Sequence, residues 1–298
     1  MHTTQERSCN SAFVLPRNCT FSETDGKALA PFWYPIAFSH EVTDRPFAAK
    51  LLDERLVLFR HSDSSIVAAR DLCLHRGVPL SLGWVENDEL QCKYHSVGYD
   101  KSGQCTRIPA QPDVAISDRL KLTTYAVTER YGLVWVRLVG KGSVHFPYFQ
   151  EWNDPDYIQV PYFHECNDPD YIQVLPASVA HEAAASRQVE GFRDASHFTF
   201  VHTESFGEGE NPEVPDYPAR RLPHGFRADD VSTVSNYRHN LKHLSPPGFK
   251  WRRLFEVWLP FTAKLSVTFG NGQLHILNAA CPVWARKTHL GSAQRPQF

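Results

Sequence analysis

Apolar and polar positions alternate in short stretches of the first half of the chain: Arg55 to Phe59, Leu120 to Tyr125 and Leu133 to Leu138. A period of two places one side chain in two on a buried face, so these stretches predict strands, within a broader strand-like segment from Leu51 to Phe59. Asp100-Lys-Ser-Gly103 has the composition of a hairpin turn. In the second half, Leu254 to Phe269 and Leu274 to Val283 read as strands flanking Gly270-Asn-Gly272, a strong hairpin signal. Upstream of them, Ala183 to Val201 is the best helix candidate, and Glu208 to Pro223, rich in Pro and charge, reads as a loop. The pattern is thus early strands, then a helix and a second run of strands.

Composition narrows the class. The 298 residues suffice for two cores, and a formal charge of −2 gives no support for binding nucleic acid or a membrane surface. No apolar run approaches the roughly 18 to 20 residues that span a bilayer. The first thirty residues are polar and charged throughout, without the apolar core of a secretory signal, which predicts a cytoplasmic chain. Cys9, Cys19, Cys105, Cys166 and Cys281 have no spacing that suggests disulfides and read as free or buried thiols. One internal duplication stands out. Tyr148 to Pro161 is followed directly by the nearly identical Tyr162 to Leu175. Two units cannot build a solenoid, so the pair reads as an insertion in a connection that tolerates it. The expected organisation is an extension over 1–30, a first domain over 31–145, a linker over 146–178 and a second domain over 179–298.

The chemistry sits in two places. Cys73-Leu-His75 and Cys92-Lys-Tyr-His95 each mix one thiol with one imidazole. Structural zinc modules usually pair Cys with Cys and His with His. A Rieske [2Fe–2S] centre instead needs two thiolates on one iron and two imidazoles on the other, an arrangement that raises its potential above that of an all-Cys cluster. The four residues therefore predict such a cluster, with zinc as the alternative. A one-electron centre needs a recipient, and Asp194-Ala-Ser-His197-Phe-Thr-Phe-Val-His202 offers two imidazoles and a carboxylate. Two His with one carboxylate hold non-heme Fe(II) on one face. On a straight helix, residues five apart lie about 140° out of register, so His202 must sit at a helix end or beyond a distortion. Asp194, three residues before His197, would share its face and orient its second nitrogen.

Together these motifs resemble the large subunit of Rieske non-heme iron oxygenases, in which the cluster pattern is followed by D-x2-H-x4-H, matched here by Asp194, His197 and His202. The resemblance covers roughly Phe32 to Lys287 and is closest to the branch of methylxanthine N-demethylases and vanillate-type O-demethylases. It is carried also by Phe32-Trp-Tyr-Pro35, Tyr131-Gly-Leu-Val-Trp-Val136 and Cys281-Pro-Val283. It implies a two-domain subunit of the α+β class: a β-rich Rieske domain followed by a helix-grip catalytic domain with an antiparallel sheet. Cys73, His75, Cys92 and His95 would bind the [2Fe–2S] cluster, and His197 and His202 a mononuclear iron. Asp194 would bridge the cluster of one subunit to the iron of the next in a homotrimer. The implied reaction uses O2 and electrons from an NAD(P)H-dependent reductase or ferredoxin to hydroxylate or demethylate a small aromatic or heteroaromatic molecule.

Three departures follow from the same comparison. The family's third iron ligand is an Asp in a C-terminal helix, whereas the last acidic residue here is Glu256 and the sequence stops at Phe298. This predicts a truncated catalytic domain, with Glu190 or Glu204 as conceivable substitutes and, as the alternative function, a homologue retaining only the electron-transfer centre. Lys93-Tyr-His-Ser-Val-Gly98 stands where the family commonly has a Pro and a Gly-Trp pair, predicting strain in the cluster loop or altered hydrogen bonding to the cluster. Gly191 stands where relatives often carry Asn. Of the later aromatic residues, Trp258, Phe261 and Phe269 fit sheet core as well as they fit substrate contacts.

Overall fold

The computed structural model describes residues 14–140, 146–150, 179–202, 212–214, 216–232, 251–269 and 272–297. The chain divides into two compact units, one comprising Met1–Phe146 with Cys281–Gly291 and the other Pro147–Ala280 with Ser292–Phe298. The duplicated segment, apart from residues 148–150, lies outside the described residues, as do Glu204, Cys9 and Cys166.

The first unit opens with helix α1 (Glu23–Leu29), whose first turn is capped by Ser22 accepting from the Asp25 N–H at 3.0 Å. Ten strands follow: β1 (Tyr34–Phe38), β2 (Phe47–Leu51), β3 (Glu54–Arg60), β4 (Ile66–Arg70), β5 (Trp84–Glu86), β6 (Glu89–Gln91), β7 (Gly98–Tyr99), β8 (Cys105–Arg107), β9 (Thr124–Arg130) and β10 (Leu133–Arg137). They form a six-stranded sheet ordered β1-β10-β9-β4-β3-β2 and a four-stranded sheet ordered β5-β6-β7-β8. One apolar core serves both sheets, with Val57, Phe59, Val67 and Ala69 from the first and Leu90, Tyr99 and Cys105 from the second.

Several sequence expectations shift at element ends. The segment from Leu51 to Phe59 is not one strand, because Leu52 and Asp53 adopt φ of 50° and 64° and turn the chain between β2 and β3. Both positive values define the tight turn that matches strand twist. The strand expected at Leu120 begins only at Thr124. The turn at Asp100-Gly103 forms as read: the Asp100 carboxylate accepts from the N–H of Ser102 at 2.7 Å and of Gln104 at 3.0 Å, while Gly103 takes φ 84°.

The second unit carries β11 (Val179–His181), helices α2 (Ala185–Arg193) and α3 (Phe198–Val201), then β12 (Ala219–Leu222), β13 (Gly225–Ser232), β14 (Trp251–Trp258), β15 (Thr262–Phe269), β16 (Gly272–Trp284) and β17 (Lys287–Gln297). Its sheet runs β11-β17-β16-β15-β14-β13-β12. The stretch from Leu254 to Phe269 is two strands, because Leu259-Pro260-Phe261 interrupts it and Pro260 has no N–H to give a ladder. Within the expected loop 208–223, Ala219–Leu222 pairs with β13 as an edge strand.

Register sorts this sheet into two faces. Phe226 lies opposite Val257, Ala228 opposite Phe255, Phe255 opposite Leu265 and Val257 opposite Ala263. These residues form an apolar face on which α2 seats Val189 and Phe192. The other face carries Arg227, Glu256, Trp258, Lys264 and Ser266, in the alternation that a half-buried antiparallel sheet requires.

Candidate metal centres

Two loops of the first unit fold around their cysteines in the same way. After β4, the Cys73 N–H donates to the Val78 carbonyl at 2.9 Å, and the Gly77 N–H donates back to the Cys73 carbonyl at 2.9 Å. After β6, Cys92 donates to Val97 at 3.0 Å, and Ser96 donates back to Cys92 at 2.9 Å. Each loop places the residue four beyond its Cys in the left-handed region, Gly77 at φ 71° and Ser96 at φ 53°. The turn keeps the thiol in the core and throws the following His outward. Cys73 and Cys92 are buried at 3% and 1% exposure, whereas His75 and His95 are exposed.

The result separates sulfur from nitrogen. The Nδ1 atoms of His75 and His95 converge to 3.1 Å, with ring centroids 4.6 Å apart. Below them, burial pushes the Cys92 thiol up, the N–H groups of Tyr94 and His95 pull it down, and the neighbouring Cys73 raises it again. Two adjacent thiols in such a core ionise together only when a bound cation supplies compensating charge. Thiol beside thiol and imidazole beside imidazole is the donor set of a two-iron cluster, and it differs from four donors closing on one tetrahedral ion. Among the described residues, no three His, Cys, Asp or Glu gather to hold a single metal ion.

Tyr99 supports this centre, and the spacing of the motifs gave no sign of it. Its hydroxyl lies 3.3 Å from the Cys73 Sγ and accepts from the Leu74 N–H at 3.1 Å. Burial and the Cys73 thiol push its ionisation far above the ordinary tyrosine range, so the phenol keeps its proton.

In the second unit, the helix expected over Ala183 to Val201 is two helices. The chain leaves α2 at Asp194, whose φ and ψ of −70° and 114° are extended, and re-enters at α3 with His197 as N-cap and His202 as C-cap. Asp194 drives the break: its Oδ1 accepts from the Ser196 N–H at 2.9 Å and the Ser196 hydroxyl at 2.5 Å, bonds that compete with the helical ladder. Hydrogen bonds from Ser196 outweigh burial and hold the Asp194 carboxyl below its usual range, with the nearby His197 adding to them. Asp194 does face His197, with Oδ2 3.6 Å from Nδ1, through this turn rather than through a shared helix face.

Capping both ends of one short helix brings the rings of His197 and His202 to a centroid distance of 5.1 Å. Burial and then the charge of His197 lower the pKa of His202, favouring the neutral ring that a metal binds. The pair fits two positions of a facial triad. Glu190 does not join it; it pairs with Arg187 at 2.5 Å on the exposed side of α2. A side chain at Gly191 would have open space, with nothing within 4 Å of a Cβ there. Of the aromatic candidates, Trp258 lies buried at the end of β14 and Phe261 packs on the α2 side.

The Rieske [2Fe-2S] domain family matches residues 32–125. The chain is 33% identical over 274 residues to methylxanthine N1-demethylase NdmA of Pseudomonas putida, covering 87% of this chain and 71% of that one. It is 30% identical to the vanillate O-demethylase oxygenase subunit of Pseudomonas sp. (strain HR199 / DSM 7063), covering 61% of this chain and 48% of that subunit. The chain thus spans about half the length of the latter relative. Among solved structures, that of Pseudomonas putida CBB5 NdmA with caffeine superposes with a TM-score of 0.74 at 30% identity, covering 90% of this chain and 74% of that one. Dicamba monooxygenase bound to dicamba shares the fold at a TM-score of 0.75 and 19% identity.

Proposed function

The chain belongs to the Rieske non-heme iron oxygenases, as an alpha subunit of their demethylase branch, and from that premise we propose that it uses O2 and externally supplied electrons to oxidise a small aromatic or heteroaromatic molecule, removing an N- or O-methyl group. The observation that carries this reading is the separation of two buried thiols from two converging imidazoles. Bound there and at the histidine pair, a [2Fe–2S] cluster supplies single electrons and a mononuclear Fe(II) supplies oxygen chemistry.

Each residue then has a task. Cys73 and Cys92 hold one cluster iron, and His75 and His95 hold the other at the surface, where a donor protein can reach it. Tyr99 steadies the Cys73 sulfur. His197 and His202 hold the mononuclear iron. Asp194 favours a proton on His197 Nδ1, leaving Nε2 for the metal, and its exposed carboxylate is available to a cluster histidine of a neighbouring subunit. In this reading residues 31–145 receive electrons, residues 179–298 use them, and three chains assemble head to tail in a reducing cytoplasm with a reductase or ferredoxin as partner. The alternative, a chain that only transfers electrons, is not favoured, because similarity to the N1-demethylase runs over 87% of the chain rather than over residues 32–125 alone.

Iron content and electron paramagnetic resonance of the dithionite-reduced protein, followed by formaldehyde release with a reductase, test the proposal. A colourless zinc protein would overturn it. Asp194→Ala should leave both metal sites filled and suppress formaldehyde release; undiminished release in that variant would remove the bridging role.

A further inference from the structure

The sheet face opposite α2 carries a cavity of about 500 Å³, formed within the second unit by β13 to β16 and the segment around Tyr148. That volume lies in the range of small-molecule sites. Its charges do not balance. Three cations, Arg227, Arg252 and Lys264, share two carboxylates, Asp229 and Glu256, among the described residues. Lys264 takes Glu256 at 2.9 Å and Arg252 takes Asp229 at 3.4 Å. Arg227 is left with what remains, 3.7 Å from Asp229 and 3.9 Å from Glu256, both beyond hydrogen-bond length. Its Nε is buried and has no hydrogen-bond partner among the described residues. A guanidinium offers five donors in a planar fork, and leaving a buried donor unmet is unfavourable. The wall beside it is aromatic: Trp258 is buried with His224 stacked on it at 4.9 Å and 10°.

We propose that this cavity binds a small planar organic acid, an aromatic carboxylate whose two oxygens meet the Arg227 fork while its ring lies along the Trp258 wall. Such an acid supplies the missing negative charge and bidentate acceptors that the fork matches. A neutral heteroaromatic molecule, such as a methylxanthine, supplies no negative charge. The inference names a ligand class and does not depend on the oxygenase reading, because the site lies on the sheet face away from α2 and its test reads binding alone.

Isothermal titration of the metal-loaded full chain with 4-methoxybenzoate, 4-methoxybenzamide and caffeine provides that test. The acid should bind saturably and at least tenfold more tightly than the isosteric amide or caffeine. Arg227→Gln should abolish the preference for the acid over the amide, and Arg227→Lys, which keeps the charge and loses the fork, should restore that preference only in part. Equal affinity of acid and amide for the native chain would overturn the proposal without recourse to any variant, as would an unchanged preference in folded Arg227→Gln. Failure of the oxygenase reading would leave the titration unaffected.

Discussion

At the residue scale, the two cluster loops show how a single side chain can carry strain that its twin avoids. Gly77 and Ser96 hold equivalent positions at φ 71° and 53°. Only glycine reaches that region without a Cβ penalty of roughly 1–2 kcal/mol. Ser96→Gly should therefore stabilise the metal-loaded protein by about 1 kcal/mol, after the extra chain entropy of glycine is offset. A thermal midpoint for this variant at or below that of the native chain would show that Ser96 is not strained. The strain was legible in the sequence only through the family resemblance, as a glycine missing from the Cys92 loop. Tyr99 was not legible, because its contact with Cys73 crosses 26 residues of sequence and exists only once β7 packs beneath the loop. Its hydroxyl, proton retained, donates toward a sulfur that becomes more negative on reduction, and so favours the reduced cluster. Tyr99→Phe should lower the cluster's reduction potential without loss of iron, as measured by optical redox titration; an unmoved potential would confine Tyr99 to packing.

At the scale of elements, the sequence pattern located strands well wherever local chemistry decided the turn. Asp100 to Gly103 was readable because an Asp side chain and a Gly suffice to close it. Leu52-Asp53 was not, since Asp53 has no glycine beside it to signal the turn; Leu52 takes φ 50° with its side chain fully buried and its N–H donating to the Pro282 carbonyl at 2.8 Å, contacts distant in sequence. The break between α2 and α3 was hidden for a related reason, as neither Gly nor Pro marks it and the Asp194–Ser196 bonds become visible only in three dimensions. The β2–β3 turn carries a pH consequence. Burial raises the Asp53 carboxyl, but bonds from the Thr20 hydroxyl and N–H and from Lys50 outweigh it, and the net shift is downward from 3.8. A carboxyl lowered in the folded state contributes stability that is complete above its unfolded value and is lost as pH falls through its folded value. Urea midpoints should therefore drop on acidification below about pH 4, and Asp53→Asn should flatten that part of the profile. A native profile no steeper than that of Asp53→Asn would refute the assignment.

On the scale of the whole molecule, the informative question is where an electron goes after it reaches His75 and His95. These rings are exposed, beside exposed Leu74 and Tyr94, and Asp194 is exposed beside His197. Both ends of the proposed relay thus face outward. A closed ring of identical chains joins unlike surfaces, so each chain can offer its cluster to one neighbour and its Asp194 to the other. If transfer runs between chains, a chain lacking cluster function and a chain lacking the mononuclear site should complement each other. Co-expression of His95→Ala chains with His197→Ala chains should then restore formaldehyde release that neither variant shows alone. The restored fraction should follow the statistics of mixed neighbours, because an intact cluster must sit beside an intact iron site on the receiving chain. If mixed assemblies form, as tagged co-purification would establish, yet release stays at the level of the separate variants, electrons pass within one chain and Asp194 serves only to orient His197.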